Sequence, residues 1–317
     1  MPTHPETRPD NHEREALSQA ASRGDGDAGF RLAVLCLTGQ GGERDLSGAR
    51  RALARARDAG HADAALMEVA LVANGSGGAP DWREALSLLR RAAVTDATAA
   101  GHLALIEAMN IDADGMPRSL PALNPLSEAP RVGIAHGFLS PAEARHIVHA
   151  AADLLEPATV VDPRTGGLIA HPIRTSRNAT IGPTRESLPI RAILNRIARL
   201  SGTDVQHGEP LTLLEYRPGQ EYRPHHDALP GMVNQRVATM LLYLNQGYQG
   251  GQTHFTRPGL TVAGRGGDAL LFLNTRPDGR PDPDAEHAGR PVTAGQKLLA
   301  TRWIRAEPVD PWTMGGA

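Results

Sequence analysis

From residue 212 onward the chain is written as short, largely apolar runs, each closed by Gly or Pro. Thr212 to Tyr216 ends at Arg217-Pro218-Gly219, and Val237 to Leu244 forms the longest run. Gly250-Gly251 opens Gln252 to Thr256, and Leu260 to Ala263 follows. Gly266-Gly267-Asp268 then leads into Ala269 to Leu273, and Gln296 to Ile304 is the last run. Runs of this length with this punctuation specify antiparallel strands packed as a sandwich or jelly roll. Such a barrel brings side chains that are far apart in sequence to one mouth.

The first third follows a different rule. Residues 16–109 are rich in Ala, Leu and Arg, with apolar positions at helical spacing. An offset of 36 pairs Ala20 with Ala56, Gly24 with Gly60, Asp27 with Asp63, Ala28 with Ala64, Gly39 with Gly75 and Ala49 with Ala85. A third, degenerate copy begins at Ala92, with Ala100 beneath Ala64 and Asp96 in the place of Gly24 and Gly60. A fixed period in this range is the signature of stacked helical hairpins, and small residues let the helices approach closely. Such an array is either an interaction surface or a cap that stabilises the barrel. Four prolines between Ala113 and Pro130 mark an inter-domain linker.

Chemistry enters with Lys297, the one lysine among thirty-three Lys and Arg residues. Lys is a compact ammonium where Arg is a wide planar fork, so a narrow pocket distinguishes them. Lys297 sits in Gln296-Lys297-Leu298-Leu299-Ala300, a segment whose strand would bury one face. A buried ammonium requires an anionic partner. Upstream lie His287 and the triplet His225-His226-Asp227. Residues i and i+2 of a strand share a face, so His225 and Asp227 can address one metal while His226 points away. With His287 from another strand they complete a two-histidine, one-carboxylate facial triad, the donor set of non-haem iron(II) oxygenases.

Residues 131–306 resemble the prolyl 4-hydroxylase family of iron(II)- and 2-oxoglutarate-dependent dioxygenases. The likeness is carried by Phe138-Leu139-Ser140, Arg174-Thr175-Ser176, Tyr216 to Asp227, Gln235 to Thr239, Gly250 to Thr253, Gly267 to Phe272, His287 to Val292, Gly295-Gln296-Lys297 and Ala300 to Ile304. It implies a double-stranded β-helix, with iron held by His225, Asp227 and His287. It implies that Lys297 pairs with the distal carboxylate of 2-oxoglutarate, aided by the hydroxyls of Tyr216 and Thr253. Tyr222, Arg236 and Trp303 fall where the family shapes the pocket for its target proline. Ascorbate is implied as an accessory cofactor. Gln252 departs from the pattern, standing where the family usually has Glu. The carboxylate Asp227 favours hydroxylation over halogenation, since related halogenases carry a small residue there. The helical segment resembles the Sel-like branch of tetratricopeptide-type repeats through its Ala-Ala-x-x-Gly and Asp-Ala signals.

The expected fold class is therefore α+β with two domains: an N-terminal helical solenoid, then a jelly-roll dioxygenase domain. The expected boundaries are a disordered tail over 1–14, repeats over 15–112, a linker over 113–130, the oxygenase over 131–308 and a tail over 309–317. Val161 to Ile173, rich in Gly and polar residues, is expected to close over a bound peptide. The expected reaction hydroxylates a prolyl residue in a protein or peptide, consuming dioxygen and 2-oxoglutarate and releasing succinate and CO2. A free amino acid or other small molecule is the alternative substrate, and a non-enzymatic adaptor the alternative of another class. A net charge of −2 leaves no electrostatic footprint for nucleic acid. No signal peptide or membrane-length apolar run occurs. The lone Cys36 rules out an intramolecular disulfide and suggests a reducing, cytoplasmic compartment, in a bacterium by the Arg- and Ala-rich, Lys-poor composition.

Overall fold

A computed structural model describes residues 11–161, 168–170, 173–228 and 231–313. The chain divides into two compact units, residues 1–115 with 183–192 and residues 116–182 with 193–317.

The first unit holds six helices: α1 (Asn11–Ser22), α2 (Gly26–Thr38), α3 (Leu46–Asp58), α4 (Ala62–Asn74), α5 (Trp82–Ala92) and α6 (Ala97–Ala108). Five starts are capped by a side chain that accepts from the backbone N–H three residues on, at Asp25, Asp45, His61, Asp81 and Asp96. The seams are built of small residues. Ala49, Ala52, Ala56, Ala64 and Ala85 are buried, with Leu53, Leu88 and Leu89 filling the wider spaces. A methyl on Gly29 would lie 3.1 Å from the Ala56 Cβ, so this crossing depends on the missing side chain. Within the first two hairpins the turn uses a left-handed glycine, Gly24 at φ +91° and Gly60 at φ +89°.

The third hairpin corrects the sequence alignment. Asp96 does not replace those glycines but caps α6, as Asp25 caps α2 and His61 caps α4. The span between caps is 16 residues from Asp45 to His61 and 15 from Asp81 to Asp96, so the copy has lost one turn residue and needs no left-handed position.

The second unit opens with β1 (Leu123–Glu128), β2 (Arg131–Ala135) and α7 (Pro141–Ala151). A capping box, in which Ser140 and Glu143 satisfy each other's backbone N–H, starts α7 with Pro141 in its first turn. After β3 (Glu156–Pro157), β4 (Thr159–Val161), β5 (Leu168–Ala170) and β6 (Arg177–Thr180) comes α8 (Leu188–Ser201). The remaining strands are β7 (Thr212–Tyr216), β8 (Tyr222–His225), β9 (Arg236–Tyr243), β10 (Gln249–Gly250), β11 (Thr253–Phe255), β12 (Thr261–Val262), β13 (Ala269–Leu273), β14 (His287–Gly289), β15 (Val292–Ala294) and β16 (Lys297–Arg305).

They form an eight-stranded sheet in the order β1-β2-β13-β9-β16-β7-β6-β3 and a four-stranded sheet in the order β12-β11-β14-β8, with β10-β15 and β4-β5 as two-stranded ribbons. All described pairings are antiparallel. Leu214, Tyr216, Leu241, Tyr243, Leu270, Phe272 and Leu299 of the large sheet share one core with Phe255 and Val262 of the small one. Phe255 meets Phe272 edge-on at 5.1 Å between centroids. Each such side chain, fully buried, contributes about 1.5–3 kcal/mol, so this core holds the sheets face to face as a double-stranded β-helix.

The structure departs from three expectations of local structure. The segment read as a linker contains β1, which pairs with β2 at the sheet edge. Pro125 is tolerated there because an edge strand has one side that needs no ladder hydrogen bonds. The tail expected over 1–14 overlaps α1, whose Arg14 guanidinium donates to the carbonyls of Leu35, Gln40 and Glu43. The strand expected through Asp227 stops at His225. The expected lid over 161–173 lies mostly outside the described residues.

Candidate active site: a facial triad beside a buried lysine

The ligand atoms offered by His225, Asp227 and His287 all lie within 4.8 Å of one another, and no other metal-capable group of this kind occurs among the described residues. Pairing of β14 with β8 sets His287 directly opposite His225. The chain bends after His225, which turns the Asp227 carboxylate back towards both rings. Its Oδ1 lies 3.7 Å from the His225 Nε2, and its Oδ2 lies 3.8 Å from the His287 Nε2. The carboxylate thus reaches the triad by a bend, not by the strand alternation read from the sequence.

The residues fit a divalent metal. The Nδ1 of His225 lies 2.9 Å from the Arg223 carbonyl, and that of His287 lies 3.0 Å from the Ala285 carbonyl. A carbonyl only accepts, so each Nδ1 carries the proton and each Nε2 presents a lone pair. Burial, and then the neighbouring His287, push the His225 imidazole down to about 3, so it stays neutral near pH 7. Burial opposes charge on Asp227, but attraction to the two histidines when protonated and the Thr239 hydroxyl outweigh it and hold the carboxyl below its usual range. Two imidazoles and one carboxylate are the donor set of iron(II) oxygenase sites.

Lys297 lies on the same cleft wall. It heads β16, pairs in register with Tyr216 of β7 and is 2% exposed. Its Nζ donates to the Gly251 carbonyl at 2.7 Å, with the Tyr216 and Tyr243 rings 5.5 and 5.6 Å away. No carboxylate among the described residues pairs with it, and burial lowers its pKa to about 8. An ammonium buried beside one neutral carbonyl is a receptor for an anion. The Thr253 hydroxyl, 3.1 Å from that of Tyr243, and Tyr216, whose phenol burial pushes up to about 12, stand in the same cleft.

The cleft is lined by every residue expected at the site except Arg236. Tyr222 stacks on the His225 ring at 3.5 Å between centroids. Trp303 shares with Lys297 the inward face of β16, and its buried Nε1 has no partner among the described residues. Arg236 stands behind Trp303. Its guanidinium lies 4.1 Å above the indole and donates to both oxygens of Glu209 at 2.6 and 2.8 Å, and Arg305 donates to the same carboxylate. Its charge is committed to that ion pair.

Sequence reasoning missed Thr301, which lines the cleft with a buried hydroxyl that has no partner among the described residues. The signal was present: 297, 299, 301 and 303 alternate along one strand and so share a face. Thr239 and Asn274, which stand behind Asp227, left no such signal.

A β-helix with a facial triad beside a buried cation defines a non-haem metal oxygenase that takes an anionic co-substrate. Residues 211–305 match the profile of the 2OG-Fe(II) oxygenase superfamily. The chain is 37% identical over 199 residues to prolyl 4-hydroxylase 1 of Arabidopsis thaliana, spanning 57% of this chain and 70% of that protein. It is 34% identical over 203 residues to prolyl 4-hydroxylase 5 of the same plant, spanning 56% of this chain and 69% of that protein. Among solved structures it is similar to a viral collagen prolyl hydroxylase of Paramecium Bursaria Chlorella virus-1 in its 2OG complex, at 26% identity and a TM-score of 0.45, over 56% of this chain and 96% of that one. It is also similar to a Sel1 repeat protein of Oxalobacter formigenes, at 27% identity and a TM-score of 0.28, over 30% of this chain and 40% of that one. The chain belongs to the prolyl 4-hydroxylase family of iron(II)- and 2-oxoglutarate-dependent oxygenases.

Proposed function

We propose that this protein hydroxylates a prolyl residue in a protein or peptide, using dioxygen and 2-oxoglutarate. The observation that carries the reading is the buried Lys297 ammonium, without a carboxylate partner among the described residues, on the wall of the cleft that holds the triad. Iron(II) with 2-oxoglutarate supplies the oxidising chemistry, in which one oxygen atom enters the substrate and the other leaves in succinate, with release of CO2.

The chain's own residues supply the rest. His225, Asp227 and His287 would hold the metal and leave its remaining positions to co-substrate and dioxygen. Lys297 would neutralise the distal carboxylate, and the hydroxyls of Tyr216 and Thr253, which line the same cleft, would donate to its oxygens. Because Leu214, Leu241 and Leu299 line the cleft, that charge pairing acts in a lower dielectric than water and is strengthened. Tyr222 and Trp303 offer aromatic faces to a pyrrolidine ring on the metal side of the cleft. The Arg236 pair with Glu209 holds that guanidinium against the Trp303 indole, which faces the cleft. The helical repeats of the first unit serve to engage the polypeptide that carries the target proline.

An anaerobic titration with iron(II) and 2-oxoglutarate tests the site through the visible charge-transfer band of the chelate. The band is expected in wild type, lost in His225→Ala, and shifted to higher co-substrate concentration in Lys297→Ala. Folded wild type without the band overturns the oxygenase reading. Incubation with proline-rich peptides, with free proline alongside, then reads the substrate. A gain of one oxygen atom on the peptide prolyl ring supports the proposal, and a gain on free proline alone replaces it with the small-molecule reading.

A further inference from the structure

All three triad residues come from the small sheet or from the bend that follows its β8 strand, whereas the Lys297 wall belongs to the large sheet. One chain of side chains joins the triad carboxylate to the large sheet. The Thr239 hydroxyl on β9 lies 2.6 Å from the Asp227 Oδ2, and the Asn274 Nδ2, just past the end of β13, lies 2.9 Å from the Thr239 Oγ1. All three residues are buried, at 5%, 1% and 1% exposure for Asp227, Thr239 and Asn274.

The directions of these bonds are fixed by chemistry. An ionised Asp227 only accepts, so the single Thr239 proton must point at Oδ2. The Thr239 oxygen can then only accept from Asn274, which sets the amide with its NH2 towards Thr239. That orientation leaves the Asn274 Oδ1 buried without a partner among the described residues. Both relay residues are rigidly mounted. Thr239 pairs with Phe272 on one side and Trp303 on the other, and the Asn274 backbone N–H donates to the Val237 carbonyl at 2.8 Å.

We propose that Asn274 and Thr239 are positioning residues for the metal site: the Asn274 amide fixes the Thr239 hydroxyl, which occupies the Asp227 Oδ2 and presents the carboxylate to the metal through Oδ1 alone. This rests on the reading of His225, Asp227 and His287 as metal ligands. A carboxylate held at one oxygen keeps a single donor on the metal and leaves adjacent coordination positions free. Released from Thr239, it can rotate and offer both oxygens.

Titration of the full-length protein with cobalt(II), without 2-oxoglutarate, tests the relay through the visible d–d absorption of the ion. In Thr239→Val, a near-isostere without the hydroxyl, cobalt(II) affinity is expected to fall by about 10- to 100-fold, as for other residues that orient metal ligands. The molar absorption is expected to fall as the carboxylate becomes bidentate and the coordination number rises. Thr239→Ser should restore both to within a few-fold of wild type. Asn274→Asp offers a second acceptor to the one Thr239 proton and is expected to weaken binding, but to add nothing in the Thr239→Val background, because the two act in series. Wild-type affinity and spectrum in either Thr239→Val or Asn274→Asp overturn the relay while leaving the triad intact. Should Thr239→Val fail to fold, Thr239→Ser and Asn274→Asp carry the test. Failure of wild type itself to bind cobalt(II) overturns the metal reading, and the relay with it.

Discussion

At the scale of single residues, Lys297 decides how the site behaves with pH. Unfolded, its ammonium titrates at about 10.4. Folded and empty, burial brings it to about 8. Between these values the unfolded chain holds more protons, so stability of the ligand-free protein rises with pH across that window. Co-substrate affinity follows the opposite course, because only the ammonium attracts the carboxylate. Isothermal titration in the absence of oxygen should show 2-oxoglutarate binding weakening above pH about 8, and a weak, flat profile in Lys297→Ala. Breaking a buried ion pair by removal of one partner costs about 3–5 kcal/mol, or roughly two to four decades of affinity. Lys297→Arg should also weaken binding, since a fork does not fit beside the Gly251 carbonyl, while cobalt(II) binding survives in both variants.

Strands and helices carry predictions of their own. Gly250 holds φ at +73°, and a methyl there would drive into the Pro291 carbonyl, against which the Gly251 N–H is already bonded. Gly250→Ala is expected to destabilise the protein by about 2–4 kcal/mol through left-handed strain and overpacking. It should also raise the concentration of 2-oxoglutarate needed, because it displaces the Gly251 carbonyl that seats Lys297. Denaturant midpoints and co-substrate titration read the two effects separately. In the helical unit, the fully buried Leu53 and Leu89 close the seams between hairpins. Leu89→Ala is expected to lose about 2–5 kcal/mol, measured as reduced amide protection in α5 and its neighbours.

For the whole molecule, two compact units with separate cores need not unfold together. A ligand stabilises only the state it binds. Cobalt(II) with 2-oxoglutarate should therefore slow hydrogen exchange in β7, β8, β14 and β16 and leave α1 to α4 unchanged, as read by peptide-level mass spectrometry. If the helical unit engages the polypeptide substrate, alanine at the exposed Arg51, Arg55 and Arg90 should raise KM for a long protein substrate and leave a short peptide unaffected. A KM for the long substrate unchanged from wild type in that variant would remove the unit from substrate recognition.

The sequence by itself determined the strand runs over 212–216 and 269–273, the helical hairpins and the identity of the triad. A punctuated apolar run, a repeat and a spaced motif are all local patterns, and local patterns survive in one dimension. It also singled out Lys297, because a lone lysine among so many arginines is a compositional fact. Only the tertiary structure decided what each of these side chains faces. The bend that brings Asp227 to the histidines, the ion pair that draws Arg236 behind Trp303, and the reach of Asn274 through Thr239 to Asp227 depend on strands from two sheets meeting across one core. The same holds for β1, whose Pro125 reads as linker along the chain and is placed in a strand only by the pairing with β2. Pairing across a barrel joins residues whose separation along the chain follows no period, so no pattern in the sequence marks it.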